Sequence, residues 1–473
     1  MGGYPIAPNM SDGSRGRDVA LRSASVLVAG RAAQLLLGIV QVRLLFVGLT
    51  REDAGLFAYV TSLAALLATL ADMGATTIAA REASRAPERE AALLGALGAA
   101  KLALAGVALV AFAGAIAATL GAGAMAAVLA TGLVIATSAL AGADVAFQVR
   151  QAFLVPTALR VATQALLVAG LAAAAAGGGL SLDAALLVYA AATAAAPIAT
   201  FVLARRLVAF PLAGPGARDL LRLAMPHGIA SAFVTLYFHA GTILLRNWKG
   251  NDATAVYGAG FKLFGFAVLL PGLVMVSVLP LLARDAIENP ARGRALYERV
   301  FRVFAAVSLA GLAALVNLAR PLVDALYGPG RYPETAPILV VLAAALVGVG
   351  AGSVASSALV AYGGQKTWMK IAAAGAAANL AVNAALIGPL GPIAPAIATA
   401  ATEALVAALA IVAVRKREGF WPVSREFPRV AIAAALAFAV SKVLEETPIA
   451  MSLVLTGLVV VAYLVRFERR TEA

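Results

Sequence analysis

With 473 residues, 62% of them hydrophobic and 13% charged, and a mean hydropathy of +0.91, the chain is excluded from the soluble globular class. Its net charge of +13 does not indicate nucleic acid, because the basic residues lie between apolar segments and form no basic face on a soluble module. There is no cysteine, so disulfides and thiolate metal sites are excluded as well.

Residues 1–18, rich in Gly, Pro, Ser and Arg, are expected to form a disordered cytoplasmic tail and no cleaved leader. Apolar runs of membrane length then predict fourteen helices, near 20–46, 54–80, 91–118, 122–148, 152–178, 183–209, 223–245, 254–282, 300–319, 334–361, 367–387, 392–414, 428–445 and 449–466. With the N-terminus in the cytoplasm, the basic clusters Arg81–Arg89, Arg205–Arg222, Arg284–Arg302 and Arg415–Arg429 all fall inside. The other side holds Arg51, Arg246, Lys249, Arg320, Arg331 and Lys442. This asymmetry supports an even helix number with both termini cytoplasmic.

The first helix is greasy except on one face. At about 100° per residue, Ser23, Arg31, Gln34, Gly38 and Gln41 share a narrow stripe. A guanidinium at mid-bilayer costs roughly 3 kcal/mol, so Arg31 is expected to face a polar interior. The seventh helix repeats the pattern: with His227 at 0°, Ser231, Thr235, His239, Thr242 and Arg246 fall near 40° to 120°, a stripe about 80° wide, read as cavity lining.

Lys101, Arg160 and Lys262, in the third, fifth and eighth helices, are further cations inside spans. Asp72, Asp144 and Glu403 are the acids available to balance them. Asp72 and Asp144 lie toward the cytoplasmic ends and suit structural ion pairs, whereas Glu403 is nearer mid-membrane and suits a lysine pair or a cation site. The surplus of base over acid predicts a field that favours an anion such as phosphate or pyrophosphate.

Arg51–Phe57 lines up with Asn251–Tyr257, two hundred residues on, and each stretch links a polar-striped helix to a second long one. The expected architecture is therefore all-α: two pseudo-symmetric six-helix lobes, 19–210 and 223–415, around a central cavity. A cytoplasmic linker at 211–222 joins them, and 416–473 adds a terminal helix pair with its tail. Enzyme signatures are poor. The two histidines lie on one helix, and neither a Ser/His/Asp set, a metal-ligand spacing nor a large outward loop stands out. The segment Arg292–Arg302 has a basic, amphipathic pattern that would suit the anionic inner leaflet.

The turn Gly48-Leu-Thr-Arg-Glu-Asp-Ala-Gly-Leu-Phe-Ala58 resembles the LGxxxYGLFA stretch of the polysaccharide transport family, the O-antigen and exopolysaccharide flippases of the multidrug/oligosaccharidyl-lipid/polysaccharide superfamily. Leu70-Ala-Asp-Met-Gly-Ala75 with Arg81-Glu82 is similar to its DLG…RE segment, and Val278-Leu-Pro-Leu-Leu-Ala-Arg284 closes the eighth helix in the family's manner. Asn379-Leu-Ala-Val-Asn383, Leu386-Ile-Gly-Pro-Leu-Gly391 and Ala396-Ile-Ala-Thr399 resemble its NxxLN…LIPxxGxxGAAxAT run. The chain departs from that pattern at Ala54, often Tyr in the family, and at Gly388, usually Ile.

The resemblance implies two lobes in a V, and transfer of an isoprenoid pyrophosphate-linked oligosaccharide between leaflets of the bacterial inner membrane. It also implies drive by a proton or sodium gradient or by membrane potential, with no resident cofactor. The expected partners are that lipid-linked substrate, membrane lipids and other polysaccharide-assembly proteins. On this reading Arg31, Lys101, Arg160 and Lys262 hold phosphates, Gln34, Gln41, His239 and Arg246 complete the substrate site, and Asp72 or Glu403 couples to a cation.

Overall fold

The computed structural model describes residues 13–119 and 125–420; the last two predicted helices, 428–445 and 449–466, lie outside them. Among the described residues all regular structure is helical, and ten helical stretches are long and apolar enough to cross a membrane. This is the pattern a bilayer demands, because a helix satisfies its own backbone hydrogen bonds where water cannot. The protein is a multi-pass, all-α membrane protein. Two compact units divide it, Met1–His239 and Ala240–Ala473.

In the first unit α1 (Gly13–Gly48) begins inside the segment expected to be a tail, and α2 (Arg51–Asp72) follows at once. Thr50 caps α2, its hydroxyl oxygen accepting from the Asp53 backbone N–H at 3.1 Å, and Glu52 and Asp53 suit the positive helix start. The second predicted helix is not continuous. It stops at Asp72 and restarts as α3 (Ala75–Arg85), because Met73 and Gly74 both take left-handed conformations, at φ 43° and 71°. A glycine tolerates that turn, and Gly74 also leaves room for His227, whose Cδ2 would lie 2.9 Å from a Cβ there.

The unit continues with α4 (Glu90–Thr119), α5 (Met125–Ser138), a 3-10 turn at Ala139–Ala143, α6 (Asp144–Val149), α7 (Leu154–Ala176) and α8 (Leu182–Leu207). The fourth predicted helix is thus interrupted where Asp144 enters. The linker is held on α4: the Gly214 N–H donates to the Gly95 carbonyl at 2.8 Å, and a Cβ on Gly98 would meet the Leu212 carbonyl oxygen at 2.0 Å. Two glycines on one helix face, Gly95 and Gly98, let the linker backbone lie close against it.

The seventh and eighth predicted helices run together as α9 (Ala217–Glu288), broken only at Gly250, where φ 83° and ψ −175° are open to glycine almost alone. The expected extended turn therefore reduces to one residue, two hundred positions after the Thr50 cap. The early part of α9 makes its contacts in the first unit: Gly228 lies against the Met73 backbone, and the Thr235 hydroxyl donates to that of Thr69 at 3.3 Å.

In the second unit, the later part of α9 is tied down by the Tyr327 hydroxyl to the Ala259 carbonyl, 2.9 Å, and the Thr335 hydroxyl to the Val256 carbonyl, 2.8 Å. There follow α10 (Pro290–Tyr327), α11 (Thr335–Ala361), α12 (Gln365–Leu390) and α13 (Ala394–Glu418). Gly348 and Gly352 form a small-residue face on α11 that seats α13: a Cβ on Gly348 would fall 2.7 Å from the Glu403 carbonyl carbon. The segment Arg292–Arg302 opens α10. Its aromatic face, Tyr297 and Phe301, is buried with Val354, Leu359, Ile371 and Val414, so that face is used by the protein and not by a lipid surface.

Candidate functional site

The polar stripe of α1 is met by α7. Their backbones come close at Gly30, where an added Cβ would stand 2.0 Å from the Thr157 methyl. Gln164 on α7 then donates to the Gln41 side-chain oxygen at 2.7 Å, and Arg31 donates to the Gln34 oxygen at 3.2 Å. On the same face of α7, one turn before Gln164, Arg160 lies near enough for its charge to act on Arg31. Two cations thus lie within reach of each other's charge at this junction.

Arg160 is held from the other side by the Asp144 carboxylate at the start of α6. Asp144 in turn feels Lys101 of α4. The Lys101 ammonium is nearly buried, 3% exposed, and donates to the Asp72 carboxylate at 2.6 Å and to the Thr76 hydroxyl oxygen at 3.2 Å. Thr76 also donates to Asp72 across the α2–α3 break. The Asp72 charge reaches His227 on α9. The chain of charge therefore runs Asp72, Lys101, Asp144, Arg160, Arg31, with three cations against two carboxylates, and the surplus lies at the Arg31 end.

Five of the predicted residues, Arg31, Gln34, Gln41, Lys101 and Arg160, thus come together in the first unit, with Asp72 at the far end of the same set. The remaining four are elsewhere. His239 is half-buried on α9. Arg246, expected to contact substrate, donates to the side chains of Asn247 and Asn251, both at 3.3 Å, beside the Gly250 break. Lys262 is half-buried on α9 with no ion-pair partner among the described residues. Glu403 is 4% exposed on α13, beneath Gly348.

Three groups escaped the sequence reading. Gln164 was legible, since it follows Arg160 by four residues and so shares its helix face. The buried Arg150–Glu90 pair, 2.6 Å, was not, because both residues look like ordinary loop charges in sequence. In the second unit Asn379 and Asn383 are fully buried; Asn379 donates to the Thr402 hydroxyl oxygen at 3.0 Å and Asn383 to the Asn379 side-chain oxygen at 2.9 Å. They were visible only as part of a family-like run. Among the described residues no cluster of His, Cys, Asp and Glu could hold a metal ion.

The described residues form a multi-pass helical bundle with ionised groups inside its first unit. The family model for "polysaccharide biosynthesis protein" matches residues 20–284, more than half of the chain, and the chain belongs to that family. Its fold is similar to that of a lipid II flippase, MurJ, in an inward closed conformation, at TM-score 0.74 and 14% identity, covering 96% of this chain and 100% of that one. It is also similar to an inward-facing multidrug resistance MATE family transporter of the MOP superfamily, at TM-score 0.62 and 14% identity, covering 84% and 98%. A MOP superfamily transporter from Pyrococcus furiosus, described as having a binding pocket of reverse polarity, gives 0.61 at 14% identity, covering 85% and 95%. No curated protein sequence matches the chain.

Proposed function

We propose that the protein is a flippase, not an enzyme, that carries an isoprenoid (pyro)phosphate-linked oligosaccharide from the inner to the outer leaflet of the bacterial inner membrane by alternating access. Both termini lie in the cytoplasm, and the cargo serves cell-surface polysaccharide synthesis. The observation that carries this reading is the Arg31–Arg160 junction, two cations with one carboxylate, inside a chain of the polysaccharide biosynthesis family. An anion between two guanidiniums relieves their repulsion and gains charge-assisted hydrogen bonds. Gln34, Gln41 and Gln164 nearby offer partners for sugar hydroxyls. Proton or sodium drive fits the ionised interior, and other polysaccharide-assembly proteins are the expected partners.

The test is export. In cells lacking the gene, Arg31→Ala should fail to restore surface polysaccharide and should leave lipid-linked oligosaccharide on the inner leaflet. Normal export by that variant, at normal protein level, rules out the phosphate role of Arg31. A second reading, transfer of a peptidoglycan lipid precursor, is favoured by the extent of the likeness to the lipid II flippase. It requires that loss of the gene stop cell-wall growth and not only surface polysaccharide. A third, cation-coupled multidrug export, takes support from the MATE likeness and requires ethidium efflux.

A further inference from the structure

We propose that binding of a phosphate anion at Arg31 and Arg160 is linked to uptake of one proton by Asp144, which makes Asp144 the coupling carboxylate of the first unit. The proposal rests on the phosphate-binding reading given above. It replaces Asp72 and Glu403 in the coupling role, for geometric reasons.

Asp72 is engaged by the Lys101 ammonium at 2.6 Å and by the Thr76 hydroxyl, and its ion pair is with Lys101 and with neither arginine. Glu403 belongs to the other unit. Asp144 alone shares a cation with the expected anion. Its side chain is 16% exposed while that of Arg160 is 44% exposed. Arg160 is thus the more open member of the pair, and its guanidinium has N–H donors left beyond the one that Asp144 takes.

The elements packed on α6 are α3, α4, α7, α8 and the preceding 3-10 turn. Among the described residues, the charges that reach Asp144 from them are Arg160 of α7 and Lys101 of α4. Lys101 is already committed to Asp72, so Arg160 is the main support of the Asp144 anion. A phosphate on Arg160 weakens that support in two ways: it draws hydrogen bonds to itself and places a like charge beside the carboxylate. Both disfavour the ionised form, so the bound state holds the proton more tightly. Linkage is reciprocal, and protonated Asp144 must then bind the anion more tightly. The charge balance agrees. Three cations and two carboxylates leave one positive charge, which a pyrophosphate group exceeds, and one proton on Asp144 restores the balance.

The experiment measures binding of inorganic pyrophosphate to the full-length protein in nanodiscs, by calorimetry over a range of pH and in two buffers of different ionisation enthalpy. Wild-type protein should bind more tightly as pH falls, by up to about tenfold per pH unit beyond the ligand's own titration, and should take up protons. Asp144→Asn should bind at low and high pH with only the ligand's own dependence, and Asp144→Glu should restore proton uptake with a shifted midpoint. Equal proton uptake by wild type and Asp144→Asn overturns the coupling role while leaving the phosphate site standing. Undiminished binding by Arg31→Ala and Arg160→Ala, or no binding by wild type, overturns the phosphate reading and the coupling with it. If Asp144→Asn does not fold, Asp144→Glu decides: an unshifted midpoint overturns the proposal.

Discussion

In the first unit the ion pairs Lys101–Asp72, Arg150–Glu90 and Arg160–Asp144 join elements distant in sequence, and each has at least one largely buried partner. In the second unit Arg284–Glu288, Arg294–Glu298 and Arg320–Asp324 are pairs four residues apart on one helix, with their arginines exposed, and the exposed Arg292 of α10 reaches the nearly buried Asp285 of α9 at 3.4 Å. The second unit is also joined by neutral groups: the Asn379, Asn383 and Thr402 hydrogen bonds, tyrosine and threonine hydroxyls on carbonyls, and the glycine face of α11. Neutral contacts and close glycine packing fix helix spacing without regard to ligand charge. Interhelical ion pairs fix spacing too, but their strength depends on every charge nearby. In the first unit three such pairs, Lys101–Asp72, Arg150–Glu90 and Arg160–Asp144, tie separate elements together and would feel an added anion.

Breaking a buried pair should show the contrast most strongly. Arg150→Ala leaves Glu90, 7% exposed, without its cation, and should cost about 3–5 kcal/mol, read as a lowered unfolding midpoint in detergent. A smaller loss is expected from Gly348→Ala in the second unit, about 1–3 kcal/mol, because the new methyl meets backbone at Glu403 that cannot rotate away. Unchanged stability there would show that α11 and α13 are not set by that contact. Gly250→Ala has open space around it and suffers only backbone strain, about 1–3 kcal/mol, again by thermal unfolding. Asn379→Ala removes the neutral hydrogen bond from α12 to Thr402 of α13 and should cost about 0.6–1.7 kcal/mol in a double-mutant cycle with Thr402. Arg320→Ala should change stability by less than about 0.5 kcal/mol, since its pair with Asp324 is solvated and local. A large effect at Arg320 would remove the distinction between the units.

Much of this was legible along the chain. Helix existence followed from hydropathy, because span length is set by the bilayer and not by the neighbours. The Arg31 stripe was legible from helical periodicity, and the structure gives it partners on α7. Breaks were harder to read. Met73 has no helix-breaking side chain, and its left-handed turn follows from Gly74 and from Gly228 pressing on it from α9. At Gly250 an expected loop contracts to one residue, since a single glycine conformation suffices to restart the helix. The basic stretch at Arg292 looked amphipathic enough for a lipid surface, and only its packing against α11, α12 and α13 shows that the apolar side is covered.

Composition and periodicity by themselves determined that this is a helical membrane protein with rare, deep cations and a surplus of base. Both properties are local or additive: each residue's transfer cost counts wherever its neighbours lie. Which cation finds which carboxylate is neither. Lys101 meets Asp72 rather than Asp144, and Arg160 meets Asp144 while facing Arg31, because α4, α6 and α7 are brought together by glycine contacts and helix breaks whose geometry is three-dimensional. Charge interactions fall off steeply with distance, so the pairing, and with it the placement of the uncompensated charge beside Arg31, was decided by the tertiary structure.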